Sequence, residues 1–146
     1  MRFIGLDLGN KTLGIALSDA NNILVSPFEN FEFKNRDFMS AAKRVVQLCS
    51  EFQVSTVALG DPKNMDGTPS DRSRISLKFK AFILSLNPLI NVELVDERLT
   101  SVEARNILKE CEYSENKKGR VRDSIAACLI LESYLASFSQ KTKQRD

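Results

Sequence analysis

The sequence predicts an α/β domain built on a mixed five-stranded sheet, with the first three strands in an antiparallel meander and helices on both faces. Three strand-like segments follow one another at the start of the chain, and helix-like and strand-like segments alternate after about residue 37. With 146 residues, 42% of them hydrophobic, the chain can form one ordinary core. We expect a single domain over 1–139 and a frayed tail over 140–146.

The first three predicted strands are separated by polar turns. Residues 2–9 and 13–19 read as a hairpin around the turn "NKT". Residues 22–33 read as a third strand, which Pro27 interrupts or confines to a sheet edge, because proline cannot donate to the hydrogen-bond ladder. This segment order predicts the meander.

The later segments alternate between the two periodicities. Helices are predicted at 37–52, 72–86, 101–111 and 123–138, and strands at 54–60 and 91–97. The residues between 60 and 71 are rich in Gly, Pro, Asn and Asp and predict a mobile loop that covers a substrate. Right-handed crossovers then place the later strands parallel to the first, in a sheet of the ribonuclease-H type.

The composition narrows the possible chemistry. The chain contains no histidine, which excludes Ser–His and Cys–His nucleophile systems and histidine-ligated zinc. Its 21 basic and 19 acidic residues give a formal net charge of only +2, so any basic surface must come from local clustering. Cys49, Cys111 and Cys128 lie among apolar residues and are predicted to be buried free thiols.

The sequence contains no apolar run near the ~20 residues of a membrane span and no signal-peptide pattern at its start. We therefore expect a cytoplasmic protein that does not contact a membrane.

Three acids are predicted to converge. Asp7 lies within the first strand, Glu97 ends the strand at 91–97, and Asp123 opens the last helix. Sites in α/β sheets form where parallel strands end. Acids without histidine favour Mg²⁺ or Mn²⁺, and two such ions about 4 Å apart can hydrolyse a phosphodiester. Asp96 precedes Glu97, so the two point to opposite faces, and periodicity alone does not choose between them.

Each acid also has a structural interpretation. Asp7 could accept hydrogen bonds at a turn, and Glu97 could pair with Arg98 or Lys109. Asp123 could be an acid at a helix start that the helix dipole favours.

A basic segment precedes the last helix. Its cations oppose the dipole at a helix start, so phosphate binding is the functional interpretation and a solvated loop the structural one. The residues are Lys117, Lys118, Arg120 and Arg122.

Four sequence blocks together resemble the YqgF/RuvX family, a family of ribonuclease-H-like proteins described as pre-16S rRNA nucleases and, earlier, as Holliday-junction resolvases. The blocks are "LDLGNKTLGIALSD", "GDPKNMDGT", "DERLTSVEA" and "KKGRVRDSIAACLILESYL", in the family's order and reaching to about Leu135. The resemblance implies a metal-dependent hydrolase that processes the 5′ end of precursor 16S rRNA in ribosome biogenesis. Cleavage of branched DNA is the alternative.

The resemblance also assigns roles. Asp7, Glu97 and Asp123 match the family's acids and become the catalytic and metal-binding candidates, and Lys11 of the first block joins the candidate nucleic-acid-binding residues. Two positions depart from the family. Thr12 stands where the family usually has Arg, so a phosphate or structural contact is lost or supplied from elsewhere. Asp61 stands where an apolar residue is common, and becomes a reserve metal ligand because resolvases of similar fold carry an acid near the end of that strand.

Other functions remain open on the sequence. "GLDLGNKT" also resembles the phosphate loop of the actin, Hsp70 and sugar-kinase superfamily, although such proteins need two ribonuclease-H-like halves. A non-catalytic RNA-binding module is a further alternative. A monomer could trim an RNA end, whereas symmetric cleavage of a four-way junction requires a two-fold dimer.

Overall fold

A computed structural model of the protein describes residues 2–97 and 122–144, with the backbone alone at 122, 123 and 138–144. Its elements are β1 (Phe3–Leu8), β2 (Thr12–Ser18), β3 (Val25–Glu32), α1 (Phe38–Glu51), β4 (Thr56–Asp61), α2 (Asp71–Leu86), β5 (Asn91–Asp96) and α3 (Arg122–Gln144).

The five strands form one mixed sheet in the order β3-β2-β1-β4-β5. β1 pairs antiparallel with β2, and β2 pairs antiparallel with β3, so the meander is present. β4 pairs parallel with β1, and β5 with β4. The predicted fold class is therefore confirmed, with β1 at the centre and Pro27 in the edge strand β3.

One face of the sheet packs against α1 and α2 and forms the larger core. Alternate residues of β1 and β4 point to this face, among them Leu6 and Leu59, and they meet Val45 of α1 and Phe79 of α2. Side-chain caps start both helices: Asp37 accepts from the amide of Ser40, and Ser70 from that of Ser73.

The opposite face packs against α3 and forms a smaller core, which includes Ala58, Ala127 and Leu131. A side chain at Gly5 would meet the carbonyl oxygen of Ala127 at 2.5 Å and Cβ of Leu131 at 2.7 Å, so glycine allows the helix to lie directly on β1. Phe3, near the start of β1, packs edge-on against Tyr134 at 6.1 Å between ring centroids. α3 therefore runs opposite to β1 and begins near the end of that strand.

The structure differs from the sequence prediction at several boundaries. α3 continues to Gln144, whereas the sequence predicts a helix that ends at 138. Its lysines and glutamines are good helix formers but carry no apolar period that would reveal a helix. The predicted helix at 101–111 lies outside the described residues.

The loop after β4, which the sequence predicts to be mobile, contains several local hydrogen bonds. The carboxylate of Asp66 accepts from both the amide and the hydroxyl of Thr68, at 3.0 and 2.6 Å, and the amide of Gly67 donates to Asn64. These local bonds give a polar segment a defined shape without a hydrophobic core.

Two of the three cysteines lie within the described part of the chain, and Cys49 and Cys128 are buried free thiols as predicted. Burial raises the pKa of Cys49 to about 11 and that of Cys128 to about 12, which leaves both thiols protonated and unreactive at neutral pH. Cys111 lies outside the described residues. No helix in the described ranges has the length and apolar character needed to cross a bilayer.

Candidate active site at the carboxyl edge of the sheet

Four acids lie at or near the carboxyl ends of the three parallel strands. Asp7 is the penultimate residue of β1, Asp61 ends β4, and Asp96 and Glu97 lie at the end of β5. Because these strands run in the same direction, their ends form one edge of the sheet. The four acids therefore lie at the edge of the sheet where the sequence predicts the site.

Asp7 lies between two glycines on neighbouring strands. It pairs with Gly14 of β2, and it lies one residue beyond the pair of Leu6 with Leu59, which places it beside Gly60 of β4. Residues opposite one another in a sheet share a face. Asp7 shares the face of Gly5, the face covered by α3. The missing side chains leave space on both sides of its carboxylate.

Glu97 occupies the space over Gly60. A Cβ at Gly60 would collide with Oε1 of Glu97 and with Cδ1 of Ile130 in α3. Burial, and after it the charge of Asp61, raises the pKa of Glu97, while Arg72 lowers it. Glu97 therefore lies on the α3 face and is held close to other charged groups.

Asp61 and Asp96 pair across β4 and β5, and alternation points both toward the α1–α2 face. Asp61 is only 8% exposed, and its Oδ1 has no hydrogen-bond partner among the described residues. The strand pleat thus points these two acids to the face opposite that of Asp7, while their charges still reach Glu97 just beyond the end of β5.

Arg72 is a neighbour of the acids that sequence analysis did not select. From the first turn of α2, it donates 2.9 Å to the carbonyl oxygen of Leu8 and 2.5 Å to the side chain of Asn10. Its positive charge stands at a helix start, against the dipole preference. That feature was used for residues 117–122 and could have identified Arg72 too.

The remaining sequence candidates are placed in part. The backbone of Asp123 lies in the first turn of α3. This start of the helix is the part of α3 that lies nearest the carboxyl end of β1. Lys11 is exposed in the turn between β1 and β2, and Arg122 begins α3. Lys117, Lys118 and Arg120 lie outside the described residues.

Within residues 2–97 and 122–144, no three acids or cysteines with described side chains form a ready metal cluster. The donor set still fits Mg²⁺ or Mn²⁺ in its chemistry, since Asp7 and Glu97 offer oxygen ligands on one face with glycines between them.

Comparison with known families gives one match over nearly the whole chain. The family described as "RuvX: Holliday junction resolvase" matches residues 1–137. The chain belongs to the RuvX family. Among its relatives, a protein of Lachnospira eligens is 41% identical over 138 residues, with 94% of this chain and 98% of the relative covered. A Bacillus subtilis protein is 37% identical over 139 residues, with 95% and 100% covered. Both relatives carry the name "Putative pre-16S rRNA nuclease".

Solved structures support the fold of this RuvX member. The chain is similar to Thermus thermophilus RuvC bound to a Holliday junction, with a TM-score of 0.60, 12% identity and coverage of 94% of this chain and 96% of that one. It is equally similar to the fowlpox virus Holliday junction resolvase, with a TM-score of 0.60, 15% identity and coverage of 94% and 99%. At these identities the likeness concerns the fold.

Proposed function

We propose that this protein is a Mg²⁺- or Mn²⁺-dependent nuclease that hydrolyses phosphodiester bonds of structured nucleic acid and processes the 5′ end of precursor 16S rRNA. Membership of the RuvX family and the names of its relatives support the general class, a hydrolase acting on phosphodiesters. The observation that carries the proposal is the pair of carboxylates, Asp7 and Glu97, placed on one face around Gly60.

The residues of this edge can each perform part of such a reaction. Asp7 and Glu97 would hold the cations, with Asp123 as the third ligand from the start of α3. Two such ions, held by these acids, would supply an activated water molecule and stabilisation for the leaving oxygen. Arg72 holds the turn next to Asp7 in place through Leu8 and Asn10, and Lys11 on that turn would contact substrate phosphates.

The decisive experiment compares substitutions of two acids, Asp7 and Asp96, that lie at the same edge of the sheet and point to opposite faces. Asp7→Asn keeps the shape of the side chain and removes one charge from the proposed site. It should abolish cleavage of precursor 16S rRNA and reduce the rise in melting temperature that Mn²⁺ causes, because the ion stabilises the folded state by binding it. In chelator, the variant should be as stable as the wild type or slightly more so, since repulsion between carboxylates falls.

Asp96→Asn is the matched control. Its side chain lies on the other face of the sheet, so it should keep both cleavage and the Mn²⁺ response. An Asp7 that merely caps a turn predicts a loss of ~1 kcal/mol in stability with an intact metal response. Cleavage by Asp7→Asn at the wild-type rate would refute the proposal.

Holliday-junction cleavage is the second candidate, because the matching family carries that description. Paired cuts in a symmetric junction require a two-fold dimer, whereas an RNA end can be processed by a monomer. Solution mass together with end-mapping of the products on both substrates separates the two. If neither substrate is cleaved in the presence of Mg²⁺ or Mn²⁺, the result would favour a non-catalytic RNA-binding protein.

A further inference from the structure

We propose that Lys34 and Arg36, together with Lys11, form a phosphate-binding surface on the β3 side of the site, along which a nucleic-acid strand approaches Asp7. We call these three residues the basic rim. The inference rests on the proposed nuclease function and assigns the path of its substrate. Lys34 and Arg36 lie 23 or more positions from Lys11 in the sequence, and only the fold brings them together.

The topology places these residues at one edge. β1 and β3 run in the same direction because each pairs antiparallel with β2. The turn after β1 and the segment after β3 therefore meet at the carboxyl edge. Two backbone hydrogen bonds join them: the amide of Phe33 donates to the carbonyl of Lys11 at 2.9 Å, and that of Arg36 to Asn10 at 2.7 Å.

Asn10 is the residue that connects the rim to the acids. Its backbone carbonyl accepts from Arg36, and its side-chain oxygen accepts from Arg72, which also binds the carbonyl of Leu8. Leu8 directly follows Asp7. The rim is thus tied through Asn10 and Arg72 to the strand end that carries the acid.

The backbone of Arg36 is in the left-handed region, with φ of 63°. This conformation favours glycine or asparagine and costs free energy for a long side chain. An arginine here gives no apolar burial in return, because its side chain is exposed. The charge of Arg36 is thus presented to solvent from a backbone position that favours a smaller residue.

The charges of the rim are available to a ligand. Lys11, Lys34 and Arg36 are exposed, and within the described part of the chain no carboxylate forms an ion pair with any of them. Asp37, whose carboxylate interacts with Lys34, is already bound to the amide and hydroxyl of Ser40, and Glu32 pairs with Thr12 across the sheet and, among the described residues, forms no ion pair with the rim. A polyanion would meet positive charge that the fold has not neutralised.

Arg36 lies beside the turn that carries Lys11, so the cations of the rim are spaced along one edge. The phosphodiester backbone is the chemistry that fits, because spaced cations contact phosphates without reading bases.

The test uses the double variant Lys34→Gln/Arg36→Gly, which leaves Lys11 and the acids intact. Glycine suits φ of 63°, so the backbone bond from residue 36 to Asn10 should persist and the melting temperature should not fall. Affinity for precursor RNA, and for a branched DNA, is measured by anisotropy at several salt concentrations in chelator. Loss of two phosphate contacts should make the plot of log affinity against log salt less steep, with the magnitude of its negative slope reduced by about 1.4 to 1.8.

Lys78→Gln is the control, since this exposed lysine lies in the middle of α2 and packs over the ring of Phe82. Its slope should equal that of the wild type. A double variant with the wild-type slope on both nucleic acids would overturn the basic rim. The proposed function is judged separately, by metal-dependent cleavage with the wild-type protein, so that either idea can fail alone.

Discussion

At the residue scale, Gly60 lies beside both of the proposed metal-binding acids. The absent side chain is filled by the carboxylate of Glu97 on one side and by Ile130 on the other. Asp7 lies beside the same glycine on β1. A single position on β4 therefore controls how closely β1, β5 and α3 approach one another around the site.

Gly60→Ala should impair activity more than folding. The added methyl would collide with Oε1 of Glu97 and Cδ1 of Ile130, and the flexible end of the Glu97 side chain can move more easily than the core. We expect a folded protein that is less stable by about 1–3 kcal/mol, with cleavage and Mn²⁺ binding reduced severely. Urea denaturation and Mn²⁺ titration measure the two effects. Full activity with unchanged metal affinity would show that Glu97 is not a ligand.

Glu97 should give the metal-free protein a distinctive pH dependence. Burial and the charge of Asp61 raise its pKa above the ordinary 4.5, so the folded state keeps this proton to higher pH than the unfolded state does. The group's contribution to stability is therefore present below pH 4.5 and is lost as pH rises through the raised value. In Glu97→Gln that loss should be absent.

The measurement is the free energy of unfolding against pH in chelator, for wild type and Glu97→Gln. The difference between the two curves isolates the group from other carboxylates, such as Asp37, whose lowered pKa acts in the opposite direction. Curves that stay parallel across this range would contradict the assigned environment of Glu97.

At the element scale, α3 connects the fold to the site. It crosses β1 at Gly5 with backbone-level contact, and its first turn carries Asp123. The position of the third proposed ligand thus depends on how closely the helix lies on the sheet.

Gly5→Ala should displace α3. Its methyl would meet the carbonyl oxygen of Ala127 at 2.5 Å and Cβ of Leu131 at 2.7 Å, and neither atom can rotate away. We expect a loss of about 1–3 kcal/mol in stability together with reduced cleavage. Thermal melts and a cleavage assay on the same preparation test this. A variant with wild-type melting temperature would show that the helix is not packed as described.

The sequence predicted the elements of the described chain better than their contacts. Hydrophobic periodicity identified each strand and helix, and strand order then predicted that Asp7 and Glu97 would reach the same edge. Arg36 and Arg72 were missed because their importance lies in hydrogen bonds to Asn10, which depend on packing between distant segments. The end of α3 was missed because its last residues, up to Gln144, carry no apolar period.

At the scale of the whole molecule, the net charge of +2 conceals a strong local separation. The acids lie at the ends of β1, β4 and β5, and the basic rim lies beside them at the end of β3. Acidic and basic groups can therefore be concentrated side by side in a protein whose net charge is close to zero.

The two faces of the sheet are packed unequally. The α1–α2 face contains large side chains such as Phe79 and Leu48, whereas the described core of the α3 face contains three alanines and Cys128 among its buried members. Separating α3 from the sheet therefore costs less free energy than separating α1 and α2 from the other face. Amides of α3 near Ala127 should exchange with solvent through a partial opening, while those of β1 and β4 exchange only with global unfolding. On warming, catalysis should then end several degrees below the temperature at which the sheet melts, because Asp123 moves away with α3. A bound substrate that contacts both α3 and the sheet should bring these two temperatures together.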